Sequence, residues 1–217
     1  MTGQEFEAGK ELSEYNELID ILGSDCAHCE KQWRSDPSNQ FNRRSYVRAG
    51  FAYVEGHVFK LKQWALGLDD YKQGLRARYG PNPYVDSTMF SFGERLVLSE
   101  ESFEVDDKGE VYSQSRFVRL DKNIKFAFRA ISRAHDIEFK LDLGDSGWGD
   151  FKKAIEIRNR ITHPKSVSEL SLSNAEMETT HNGFSWYLGA VAKWMEARTK
   201  VFDERTALQK LAAGGTN

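Results

Sequence analysis

Apolar residues recur at helical spacing along most of the chain and lose that spacing only in its middle. Over roughly the first 35 residues, Phe6, Leu12, Tyr15, Leu18, Ile19 and Leu22 predict a helix. The polar stretch RSDPSNQ follows, where Pro37 and Asn39 predict a turn or the start of a new helix. A second, long helix is expected from Asn42 to about Leu66, with no proline inside it. On a helical wheel Tyr46, Val47, Val54, Val58, Leu61, Trp64 and Ala65 share one broad apolar arc. His57 falls within that arc and reads as a core histidine with a hydrogen-bond partner. The opposite stripe holds Arg44, Arg48, Glu55 and Lys62, flanked by Phe51 and Phe59. Arg48, Glu55 and Lys62 repeat every seven residues and so share a face. That face reads as a solvated stripe with weak charge pairs, or as the wall of a site or partner surface.

Residues 67–120 follow no simple helical pattern. RARYGPNPYVDS predicts a loop, and a helix is expected around Met89 to Leu98. ESFEVDDKGEVYSQS alternates on both sides of Asp106–Gly109, which predicts a β-hairpin. From Asp121, an expected cap, Ile124, Ala127, Phe128, Ile131 and His135 resume the helical spacing. IEFKLDL then reads as an extended connector before the helix DSGWGDFKKAIEIRNRITHP. The capping box Ser173-Asn-Ala-Glu176 opens the last helix, which passes Met177, Phe184, Leu188, Val191, Trp194 and Met195 and thins into LQKLAAGGTN. The expected fold is all-α, an up-and-down bundle of four to five long helices with a loop and β-hairpin insertion around residues 67–120. Residues 1–217 are read as a single domain, with N-terminal helices in 1–66 and the later helices in 121–210.

Composition narrows the partners. A chain of 217 residues with 40% apolar and 29% charged residues can bury a core and is not disordered. A formal charge of −3 gives no global attraction for nucleic acid, so contact with a polyanion needs a local cluster of cations. The N-terminus is polar and acidic and no run of about 18 apolar residues occurs, so a cytoplasmic protein with no membrane span is expected. Cys26 and Cys29 form a lone C-x-x-C with His28 inside it and no second ligand pair. They read as ordinary thiols near a helix start, and neither a metal nor a cofactor is expected.

The helix around IEIRNRITHP carries the chemistry. Trp148, Phe151, Ala154, Ile157 and Ile161, with Ile155 and Thr162, occupy one half of its wheel. Lys152, Lys153, Glu156 and Arg160 occupy the other, so Arg160 reads as a solvent arginine. Arg158 falls between Ala154 and Phe151, with Asn159 at the edge of the apolar half. A guanidinium there needs a buried acid such as Glu55, a pocket, or an interface. Pro164 pushes His163 out of the α region, so the helix should end near Thr162 and His163 can turn towards Arg158. An arginine offers a forked, permanent donor to phosphate, and a histidine a titratable group near neutral pH.

R-N-x-x-x-H-P at the end of a helix in an all-α chain resembles the HEPN superfamily (higher eukaryotes and prokaryotes nucleotide-binding domain). The signature is an arginine, four to six residues and a histidine, here Arg158, Asn159 and His163. The resemblance implies a metal-independent endoribonuclease, leaving a 2′,3′-cyclic phosphate and a 5′-OH. It also implies a homodimer whose two motifs face one cleft, and a role as a toxin or phage-defence effector. A cognate antitoxin or a defence-system protein would be its partner, and RNA its substrate. In that reading Arg158 stabilises charge on the scissile phosphate, His163 acts on the ribose 2′-OH or the leaving oxygen, and Asn159 holds the phosphate or fixes the arginine. Arg48, Glu55 and Lys165 are the further candidates for lining the cleft. Subgroups controlled by nucleotidyltransferase antitoxins carry a tyrosine where this chain has Lys165, so that mode of control is not expected. Other members are inactive and serve as nucleotide-binding, RNA-binding or dimerisation modules.

Overall fold

The computed structural model describes residues 3–82, 86 and 89–214, with side chains from 17 onward to 207. Phe6, Leu12 and Tyr15 as packing residues, Pro83, Tyr84 and Val85 of the expected loop, and the end of the C-terminal tail lie outside the described residues. The elements are α1 (Gly3–Ser35), α2 (Gln40–Tyr79), α3 (Phe92–Leu98), β1 (Glu101–Val105), β2 (Val111–Ser115), α4 (Leu120–His135), α5 (Ser146–Thr162), a 3₁₀ turn (Val167–Leu170) and α6 (Asn174–Gly214). The fold is all-α with one inserted β-hairpin, as the periodicity predicts.

The chain divides into two compact units, residues 1–60 with 142–188 and residues 61–141 with 189–217. In the first, aromatic rings join the helices. Trp33 of α1 stacks on Tyr46 of α2 at 5.0 Å. Phe51 of α2 meets Phe151 of α5 at 5.8 Å and Phe184 of α6 at 5.1 Å. Two glycines allow the helices to close up. A Cβ on Gly183 would lie 2.7 Å from the Cα of Phe151, and one on Gly50 would overlap the Phe184 ring. His57 is buried and bonded to the Tyr187 hydroxyl at 2.7 Å, the satisfied core histidine expected. Arg43 is also buried, and its guanidinium donates to the carbonyls of Pro37 and Leu172 and to Asn174. Among the described residues its hydrogen-bond acceptors are neutral, and they tie the start of α2 to the start of α6.

In the second unit, Trp64 packs edge-on against Trp194 at 5.8 Å and His135 at 4.7 Å. Three local expectations change here. Helix α2 runs past Leu66 to Tyr79, and Gly80, at φ 86°, ends it. Its continuation escaped the apolar pattern because the buried position is Asp69, which accepts the Phe90 N–H at 2.8 Å and pairs with Arg95. Helix α4 begins after Arg119 with no side-chain cap, and Asp121 lies in its first turn, 3.2 Å from Arg119. Helix α6 continues through LQKLAAG to Gly214 where a fading tail was expected. The short helix and hairpin are present. Ser91 and Glu94 form a capping box on α3. Phe103 pairs with Ser113 and Val105 with Val111 across the hairpin, and the Asp106 carboxylate accepts the N–H groups of Lys108 and Glu110 at 2.8 Å.

Candidate functional site

The site builds on the last two turns of α5. Asp145 caps the helix start by accepting the Gly147 N–H at 2.7 Å. Trp148, Phe151, Ala154, Ile157 and Ile161 are buried, which fixes the face turned inward. Arg158 lies beside that face but not within it. Its guanidinium carbon stands 6.0 Å from the Phe51 ring, and its Nη2 reaches the Glu55 carboxylate of α2 at 2.6 Å. The Arg158 side chain is 28% exposed and that of Glu55 40%. The wheel position therefore overstated burial: a long side chain carries its charge from an apolar seat to the rim. Nη1 of Arg158 also donates to Asn159 Oδ1 at 3.2 Å, so the two motif residues touch.

The stripe on α2 is engaged along its length, although Arg48 is exposed and Glu55 half-exposed. Arg44 donates to the Leu170 carbonyl at 3.0 Å. Arg48 donates to the Ile161 carbonyl at 3.0 Å, satisfying one of the orphan carbonyls at the end of α5. Glu55 holds Arg158, and Lys62, in the second unit, is fully buried and paired with Glu100. Phe51 is buried and Phe59 exposed. Arg160 is no simple solvent arginine: its Nη2 donates to Glu176 at 2.7 Å and to the Ser171 carbonyl at 3.3 Å.

The proline acts as expected. Helix α5 ends at Thr162, and His163 is its C-cap at φ −124° and ψ 55°. The His163 N–H still bonds the Asn159 carbonyl at 3.0 Å, while its ring is exposed. The Lys165 N–H donates to Glu169 Oε2 at 2.6 Å, and its side chain is exposed. Arg48 thus grips the end of the motif helix and Arg44 the 3₁₀ turn that follows, Glu55 anchors Arg158, and His163 projects just past the helix end.

A second polar cluster in the same unit carries no sequence signal. Arg34 Nη2 lies 3.1 Å from His181 Nε2, and Tyr46 Oη lies 2.9 Å from His181 Nδ1. A guanidinium only donates, so Nε2 accepts and Nδ1 carries the proton given to Tyr46. Glu30 in turn bonds Arg34 at 2.7 Å. Tyr46 is buried, which raises its hydroxyl pKa strongly. Glu30 and Arg34 are one helical turn apart, but Tyr46 and His181 are remote in sequence and no spacing brings them to that pair. Cys26 and Cys29 sit inside α1 rather than near its start, both half-buried and free. Burial, with help from Glu30, pushes Cys26 up to about 11, so the thiol form prevails at neutral pH. Among the described residues, no group of three or more His, Cys, Asp or Glu side chains is placed to hold a metal. Among them also, no helix is long and apolar enough to cross a membrane.

No family model, no curated protein and no solved structure matches the chain.

Proposed function

We propose that the chain is a metal-independent endoribonuclease of HEPN type, a cytoplasmic toxin or defence effector acting as a homodimer. The observation that carries this reading is a rim-placed arginine in the last turns of a helix that ends at an exposed histidine. Arg158 is held by Glu55 and Asn159 at the surface, and His163 follows directly past the helix break. An arginine kept out of the core by an acid on a neighbouring helix can exchange that acid for a phosphate. Arg158 then stabilises the charge building on the scissile phosphate, and Asn159 keeps the guanidinium oriented. His163 takes the proton of the ribose 2′-OH, whose oxygen attacks the phosphorus and expels the 5′-oxygen of the next nucleotide, which takes a proton from water to become the 5′-OH end. Arg48 and Glu55 position the motif from α2. A second copy would bring its own Arg158 and His163 to the same cleft, and an antitoxin or defence-system protein would restrain or trigger the cut.

A second reading rests on the same ion pair. If Glu55 is never displaced, the site is silent and the domain serves to bind RNA, nucleotide or a partner. Assaying RNA breakdown by wild-type protein, Arg158→Ala and His163→Ala in EDTA separates the two. Under the ribonuclease reading both substitutions lower the rate at least 100-fold, the scale of one lost oxyanion donor or general base. An inactive wild-type protein leaves the silent module.

A further inference from the structure

Charge is segregated along the middle of the chain. Residues 101–110 carry five acids against one lysine. Residues 116–129 carry five cations, Arg116, Arg119, Lys122, Lys125 and Arg129, against Asp121 alone. The second stretch holds a net +4 within a protein of net −3. All five cations are exposed. Asp121 is paired with Arg119 at 3.2 Å and Glu94 with Arg133 at 2.9 Å, so both carboxylates are already neutralised.

Helix geometry gathers three of these charges. At about 100° per residue, Lys122, Lys125, Phe126 and Arg129 fall within an arc of about 100°. Ile124, Ala127, Phe128 and Ile131, which are buried, lie away from that arc. Of the three phenylalanines in the stretch, one is fully open. Phe117, between β2 and α4, is 87% exposed, and Phe126 is half-buried beside Arg129. The recess formed there by Phe90, Glu94, Phe126, Arg129, Ala130 and Arg133 measures about 20 Å³, room for one water. It cannot enclose a small ligand, so an occupant must run along the surface.

Cations in a row suit any polyanion. An exposed phenylalanine among them adds a demand for a flat π-face, which single-stranded nucleic acid supplies and a duplex conceals. We infer that residues 116–129 form a docking strip for single-stranded nucleic acid, with cations on three or four phosphates and Phe117 stacked on a base. From Leu120 to Arg129 the helix rises about 14 Å, the rise of about four stacked nucleotides. That the bound strand is RNA rests on the ribonuclease reading; the strip itself does not.

The test uses a fluorescein-labelled twelve-nucleotide oligo(dT), which has no 2′-OH and survives the proposed cleavage. Anisotropy should show binding at about 50 mM salt, with log K falling against log salt at a slope of about −2 to −3. Lys122→Gln/Arg129→Gln should weaken binding about tenfold or more and flatten that slope by about 1.4. Phe117→Ala should weaken binding at least about fivefold and leave the slope unchanged. Lys152→Gln/Lys200→Gln, exposed lysines elsewhere, should change neither quantity. All these side chains are on the surface, so melting curves of the variants should overlay the wild type. Absence of binding, binding indifferent to the 122/129 and 117 substitutions, or equal competition by a duplex would overturn the strip. Stronger capture by phosphatidylserine vesicles than by oligo(dT) would also overturn it, assigning the stretch to a membrane surface. Oligo(dT) binding without RNA cleavage leaves the strip standing and removes the ribonuclease reading. RNA cleavage without oligo(dT) binding does the reverse.

Discussion

Arg158 reaches the rim because its stem spans the apolar seat that the helix assigns to it. The half-exposed pair with Glu55 is screened by solvent, so it contributes at most about 1 kcal/mol to stability. Arg158→Ala should therefore lower the melting temperature by no more than about 4 °C in a chain of this size. A purely structural arginine would give a much larger drop, and a thermal melt of the variant decides between them. His57 gives a contrasting case. It is buried, and burial lowers its pKa from the usual range to about 4. The unfolded chain takes up a proton near pH 6.5, which the folded chain refuses until about pH 4. Its contribution is intact above pH 6.5 and is lost as pH falls towards 4. Urea titrations across that window should show stability falling with acid, and His57→Gln should flatten the slope by up to about 1.4 kcal/mol per pH unit. At this scale His57 and the role of Pro164 were legible from the wheel and from proline chemistry. The depth of Arg158 was not, because a wheel places Cα atoms and not guanidinium heads. The His181 cluster was invisible for a simpler reason: Arg34, Tyr46 and His181 meet only in the tertiary structure.

Elements were legible where a local signal marks them. Pro164, the Ser173–Glu176 box and the Asp106–Gly109 turn each specify a boundary by their own chemistry, and all three stand. The continuation of α2 to Tyr79 had no such mark. Its buried position is Asp69, whose hydrogen bonds replace the apolar contact that the pattern looks for. Close helix approaches were equally silent, since a glycine in a helix reads as a weak breaker whatever it touches. They make a sharp prediction. Gly183→Ala must drive its methyl into the Phe151 backbone, and should cost about 1–3 kcal/mol. Gly67→Ala meets nothing within 4 Å and should be neutral or stabilising by up to about 1 kcal/mol. Chemical denaturation of the two variants side by side checks the pair, and equal effects would contradict the packing.

For the molecule as a whole, the proposed cleft requires two copies. Light scattering should give a dimer mass for the purified chain, and a monomer at every concentration would remove the shared-cleft geometry. The central claim is chemical, and end-group analysis of cut RNA reaches it most directly. Wild-type protein in EDTA should leave 2′,3′-cyclic phosphate and 5′-OH ends, and substrate with a 2′-deoxy sugar at the cut site should resist. Intact RNA, or products with 3′-OH and 5′-phosphate ends, would contradict a mechanism in which Arg158 and His163 act on one phosphate through the neighbouring 2′-OH.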